Sequence, residues 1–118
     1  MTKDYLQRTL IEQAGQVLLS IATLRKRGEY AQAKEESVKA IRHFLHLNLG
    51  LLLLCPIEQL AEAEEVLQGE KRQIAVHLLQ ELILIEEARS HFSIVLRIKE
   101  ILQSFIISDG KPSHSRLR

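Results

Sequence analysis

The chain has 118 residues, 46% hydrophobic and only 4% aromatic, with 21 leucines and 12 isoleucines against five glycines and two prolines. That apolar fraction excludes a disordered chain, and so few turn formers cannot close the many short strands of a sandwich or barrel. Sixteen basic and fifteen acidic residues leave a net charge of +1, so the molecule as a whole carries no electrostatic footprint for wrapping nucleic acid or coating an anionic membrane.

These quantities predict an all-α protein of about five helices, with one domain over residues 1–107 and a mobile polar tail over 108–118. Thr2 or Asp4 caps the first predicted helix, because a short side-chain oxygen accepts from the free amides of an opening turn. Leu6, Leu10, Ala14, Val17, Leu18, Ile21 and Leu24 then recur at three- and four-residue steps and define its buried face. Arg25-Lys26-Arg27-Gly28 closes it: cations sit where the helix dipole is negative, and the glycine takes the left-handed conformation.

A second helix runs from Glu29 or Tyr30 to His46, burying Tyr30, Ala33, Ser37 or Val38, Ala40, Ile41, Phe44 and Leu45. With almost no connection between them, the two helices fold back as an antiparallel hairpin. Asn48-Leu49-Gly50 breaks the pattern, and Leu51 to Leu54 makes a single apolar turn or short helix. Pro56, with its φ pre-set for a first helical position, opens a third helix to Leu67 whose outer face carries Glu58, Glu62 and Glu65. A fourth helix spans Glu70 to about Arg89. Ile74, Leu78, Leu82, Ile85 and Ala88 form one stripe, which Val76, Leu79, Ile83 and Leu84 widen until the helix must be central or shared. Ser90 is read as the N-cap of a fifth helix that ends near Ile107.

The apolar run Leu47 to Cys55 contains Asn48 and Gly50 and falls far short of the roughly 20 residues that span a bilayer. Met1 to Tyr5 is polar and leads into an amphipathic segment, so no secretory signal is expected. A single cysteine, Cys55, forms no intramolecular disulfide, as suits a reducing cytoplasm.

The segment Lys26-Arg27-Gly28-Glu29-Tyr30-Ala31-Gln32-Ala33, followed by Ala40-Ile41, resembles the middle of a tetratricopeptide repeat. There the glycine ends the first helix of the pair, the aromatic opens the second, and two small residues seven apart let the helices approach. The likeness covers residues 14 to 45. Ile21 stands where the repeat has a small residue and Leu45 where it has proline, and no second copy follows at a spacing of 34. Over the whole chain, Asp4-Tyr5-Leu6, the Gly28 to Ala33 hairpin and the leucine-rich Leu47 to Leu54 are similar to a group of small bacterial proteins of unassigned function. The resemblance implies a fold of packed hairpins in which Gly28, Tyr30, Ala33 and Ala40 set the packing. It implies no activity.

Helical bundles hold paired metals with Glu-x-x-His steps, whose two ligands share an inward face. The residues three before His43, His77 and His91 are Ala40, Ile74 and Ala88, so the motif is absent. His43 with His46, or Glu87 with His91, supplies half a site at most. His77 with Glu81 one turn later is the single pairing that suggests an enzymatic or ligand-binding bundle, against the plainer reading of a structural histidine. Cys55 has no neighbouring cation to lower its pKa and is expected to be an inert thiol. No phosphate-binding glycine pattern occurs. Arg25-Lys26-Arg27, with Lys111, Arg116 and Arg118, suggests a nucleic-acid contact, but five acids between Glu58 and Glu70 argue against a broad positive surface.

The last helix carries two apolar lines, one through Phe92, Val95, Leu96 and Leu102, the other through Ile94, Ile98, Ile101 and Phe105. An edge helix in a small domain cannot easily bury both. Ile94, Ile98, Ile101 and Phe105 are therefore expected to meet a second copy in a homodimer, the alternative being that the helix crosses the core and the short Leu51–Leu54 segment covers its second side. The function this predicts is a non-enzymatic protein-protein interaction module that needs no cofactor and contacts neither nucleic acid nor membrane.

Overall fold

The computed structural model describes residues 2–56 and 69–110, with side chains over 10–56 and 69–105. Five α-helices make up the described residues, with no strand among them: α1 (Thr2–Lys26), α2 (Tyr30–Leu45), α3 (Leu49–Leu54), α4 (Glu70–Ala88) and α5 (Phe92–Gly110). The helix expected over Pro56 to Leu67, its glutamate face and the tail over 111–118 lie outside the described residues. Ser108 to Gly110, expected in the tail, continue α5.

The fold is two helix pairs laid against each other. α1 and α2 form the first pair, α4 and α5 the second. α4 packs on both helices of the first pair, and α3 lies against α2 and α5.

The first turn follows from Gly28. Its φ of 82° reverses the chain, the Gly28 N–H donates to the Arg25 carbonyl at 3.0 Å, and the Glu29 N–H donates to the Leu24 carbonyl at 2.9 Å. These two bonds satisfy carbonyls that the end of α1 would otherwise leave orphaned. Beyond it, Ala33, Ser37 and Ala40 are buried along α2. Their small side chains let helix axes approach closely, and the Ser37 hydroxyl donates back to the Ala33 carbonyl at 2.9 Å, so its burial strands no polar group.

The second pair turns the same way without glycine. Ser90 takes φ 62°; its N–H donates to the Glu87 carbonyl at 3.0 Å, and the His91 N–H donates to the Glu86 carbonyl at 2.9 Å. The expectation that Ser90 caps α5 is thus corrected: Ser90 is the left-handed residue that closes α4, and α5 begins at Phe92 after His91. Asn48 and Gly50, expected to break structure, instead start α3, Asn48 as its N-cap and Gly50 within it. The Asn48 side chain accepts from the Leu51 N–H at 3.0 Å, capping the helix in which Gly50 sits.

α4 is the central helix, burying Ile74, Ala75, Leu78, Leu79, Leu82, Ile85 and Glu86. Each large aliphatic side chain so buried contributes about 1.5–3 kcal/mol. This also settles where the second apolar line of α5 goes. Ile98, Ile101 and Phe105 are fully buried within the chain, with Ile94 packed half-buried against the same core. The surface interface assigned to these four is therefore corrected: the chain's own core takes them up, Phe105 lying among Ile41 and Leu45 of α2, Leu52 of α3 and Ala75 and Leu79 of α4. Among the described residues, the large apolar side chains that α5 leaves in solvent are Phe92, 60% exposed, and Leu96, 64% exposed.

Arginines finish the framework. The Arg97 guanidinium on α5 donates through Nε to the Leu53 carbonyl at 2.8 Å and through Nη2 to the Cys55 carbonyl, binding the carbonyl end of α3. Arg72 Nη1 on α4 donates to the Phe105 carbonyl at 2.8 Å. No described helix is long and apolar enough to cross a membrane.

Candidate functional site

On the side of the first pair away from α4 an open groove of about 430 Å³ runs between the two helices. Gln13, Gln16, Val17 and Ser20 of α1 form one wall, spaced at the steps that share a helix face. Glu36, Lys39 and His43 of α2 form the other, with Ala40 and Phe44 beneath. Ala40 is the reason for the depression, since its methyl group leaves a gap between the longer residues on either side. Val17, Ala40 and Phe44 provide an apolar floor, and amides, a hydroxyl, a carboxylate and an ammonium ring it.

The walls differ in charge. Residues 13–24 of α1 include no Asp, Glu, Lys or Arg, whereas the α2 wall carries Glu36 and Lys39 with His43. Lys39 Nζ is 3.8 Å from the Glu35 carboxylate, and both side chains are well exposed, a pairing worth little in water. The His43 ring stands edge-on to Phe44 with centroids 4.8 Å apart.

A second polar assembly is buried between the pairs. The Glu86 carboxylate is fully buried, with His91 Nδ1 2.6 Å from Oε1 and Lys34 Nζ 2.6 Å from Oε2. Because an ionised carboxylate only accepts, Nδ1 carries the proton of that contact. Oε2 has the Lys34 ammonium beside it and no aligned hydrogen bond. Burial pushes the Glu86 carboxyl toward a higher pKa, but the Lys34 ammonium and the His91 ring beside it outweigh burial and hold it below the usual range. Nearby, Arg25 Nε donates to Glu81 Oε1 at 2.9 Å, linking α1 to α4. Both bridges join the two pairs and fasten α4 to α1 and α2.

The residues singled out from sequence fall into separate places. Gly28 makes the first turn, Tyr30 opens α2 half-buried, and Ala33 and Ala40 are buried in the pair. His77 and Glu81 do not converge: the His77 ring is exposed, with Nδ1 2.8 Å from the Gln73 carbonyl, and Glu81 faces Arg25. Glu87 lies 3.6 Å from Lys99 rather than against His91. Cys55 ends α3, half-buried. Among the described residues no three His, Cys, Asp or Glu side chains gather where they could hold a metal ion. Arg25, read as part of a solvated basic triplet, is half-buried in its ion pair.

Glu86 was invisible to a search for catalytic pairs, although its spacing from Ala75, Leu79 and Leu82 places it on the buried stripe of α4. A carboxylate on an apolar stripe is the signal that would have found it. Comparison with protein-family models, with curated proteins and with solved structures returned no match.

Proposed function

We propose that the chain is a non-enzymatic, tetratricopeptide-repeat-like interaction module of the cytoplasm that holds a segment of a partner protein in the α1/α2 groove. The groove carries this reading: it is open, has an apolar floor of Val17, Ala40 and Phe44, and is rimmed by Gln13, Gln16 and Ser20, whose amides and hydroxyl suit a peptide backbone. The packing order supports the repeat likeness, because the first helix of the second pair nests on both helices of the first, as in stacked helical repeats. The interval is longer than a repeat's 34 residues because α3 and residues 55–69 intervene between the pairs.

Selection of peptides from a random display library, with counter-selection against a Val17→Arg variant, tests the reading. Enriched peptides are expected to shift the amide resonances of residues 13–20 and 36–44. Shifts confined to α4 and α5, or no enrichment, would overturn it.

A second reading, self-association, is favoured by Phe92 and Leu96, which stand one turn apart on α5 with more than half of each side chain in solvent. Light scattering of wild type and of the Phe92→Asp/Leu96→Asp double variant decides it: a dimer mass that halves supports the contact, and a monomer mass for both removes it.

A further inference from the structure

We infer that residues 46–56 form a strap that lifts off the core while the long helices α1, α2, α4 and α5 stay folded, and that the Arg97 guanidinium is the latch that holds it shut. The backbone of the strap is self-contained. Asn48 caps α3 by accepting from the Leu51 N–H, the Leu52 N–H donates to the Asn48 carbonyl at 2.9 Å, and the Cys55 N–H donates to the Leu52 carbonyl at 3.2 Å. A helix of six residues, Leu49 to Leu54, does not persist on such bonds alone. It is held by what it buries, and that is little: Leu49 and Leu52 face the core, while Leu51 and Leu54 are 69% and 81% exposed. The central helix α4, by contrast, buries seven side chains. An element with so little buried apolar surface opens before the bundle around it does.

Both ends of the strap lie at breaks in regular structure, where backbone rotation is absorbed most easily. His46 leaves α2 in the left-handed conformation at φ 58°, and Cys55 leaves α3 extended, with Pro56 behind it. Between these ends, Leu47 and Leu52 fill a slot among Ile41 and Leu45 of α2, Leu79 of α4 and Phe105 of α5, and the slot is too tight to admit water. Arg97 crosses the exit of the strap. Its Nε donates to the Leu53 carbonyl at 2.8 Å and its Nη2 to the Cys55 carbonyl, while Nη1 is tied back to Glu100 on its own helix at 3.0 Å. One rigid guanidinium thus holds two carbonyls at the end of α3, where helical partners run out. Releasing it lets Leu47 and Leu52 withdraw, so Arg97 controls access to an aliphatic slot that the closed form hides.

Amide hydrogen exchange of the full chain, read by NMR at a series of low urea concentrations, tests this. The Leu52 and Cys55 amides are expected to exchange at least about a hundredfold faster than those of Leu78 and Leu82 on the buried stripe of α4. Their rates should also depend less steeply on urea, because lifting the strap exposes less surface than unfolding the bundle. Arg97→Met is expected to speed the strap amides by at least about tenfold, and Arg97→Lys by less, since an ammonium keeps the charge without the paired donors. Lys34→Met is the control. It weakens the bridge between the helix pairs in the closed and the lifted form alike, so the α4 amides are expected to speed by at least about tenfold and the strap amides to stay within about twofold. Strap and α4 amides exchanging at one rate with one urea slope, or Lys34→Met speeding the strap as much as Arg97→Met does, would mean that α3 opens only with the whole bundle and would overturn the inference. Strap amides that are fast yet indifferent to Arg97→Met would overturn the assignment of Arg97 as the latch. Circular dichroism of each variant confirms that the fold is retained.

Discussion

Glu86 and His91 are bonded to each other twice: the His91 N–H donates to the Glu86 carbonyl at 2.9 Å, and the His91 ring Nδ1 lies 2.6 Å from Glu86 Oε1. The first bond closes the turn between α4 and α5, and the second puts an imidazole over a carboxylate that water does not reach. Lys34, from the other helix pair, completes the cluster. A local turn and a long-range bridge therefore share one side chain.

Substitutions at the two ends of this bridge are expected to differ in cost. Lys34→Met leaves a fully buried carboxylate with a single partner, and Glu86→Gln leaves an ammonium that is already 31% exposed and can turn to solvent. Uncompensated charge is expensive only where it stays buried. Lys34→Met should destabilise by about 2–3 kcal/mol and Glu86→Gln by about 1 kcal/mol or less, as read from urea denaturation midpoints at neutral pH.

Acid should act through the same carboxylate. The folded state holds the Glu86 pKa below its ordinary value, so the unfolded chain binds the proton more readily and low pH favours unfolding. The stabilisation is fully present above about pH 5 and is lost as pH falls through the ordinary glutamate range and then through the lower folded pKa. Melting temperatures followed from pH 7 to 3 should fall less steeply for Glu86→Gln than for wild type, and parallel curves would contradict the assignment.

The left-handed turns inside the two helix pairs make opposite predictions. Ser90 bears a side chain at φ 62°, whereas Gly28 bears none at φ 82°. A side chain in that region costs roughly 1–2 kcal/mol, with small polar residues at the lower end. Ser90→Gly should raise the stability by up to about 1 kcal/mol, and Gly28→Ala should lower it by about 1 kcal/mol. Nothing lies within 4 Å of where the new methyl group at position 28 would sit, so backbone strain alone sets the loss. Thermal melts of both variants give the comparison.

Gly15 lies in the middle of α1, exposed, with no neighbour within 4 Å of an added methyl group and no unusual φ. Gly15→Ala should therefore stabilise by about 0.5–1 kcal/mol, through reduced backbone freedom in the unfolded chain and better helix propensity. Calorimetry measures it directly.

The helix pairs were legible because their signals are local. Gly28 with Tyr30 marks a turn, and Ala33, Ser37, Ala40, Ile41 and Phe44 keep one period along α2. Ser90 was misread because serine favours helix starts, whereas its left-handed form at a helix end depends on the bonds that Glu86 and Glu87 accept. Ile98, Ile101 and Phe105 seemed surplus because the number of apolar lines on one helix says nothing about how broad a face its neighbour presents. Glu86 was passed over because most carboxylates on helices face water. The groove has no motif of its own: it exists because two ordinary faces, one charge-free and one carrying Glu36 and Lys39, meet around Ala40.

The bridges between the pairs also bear on the order of events in folding. Each pair closes through a turn of a few residues, whereas the Arg25–Glu81 bridge between them spans 56 positions and the Arg97 bond that ties α3 to the second pair spans 44. Local turns form early and long loops close late. The pairs should thus assemble first and dock afterwards, with the bridging side chains engaging beyond the rate-limiting barrier. In stopped-flow chevrons, Arg25→Met should leave the refolding limb nearly unchanged and raise the unfolding rate, so that this ion pair acts as a brake on opening rather than a guide to assembly.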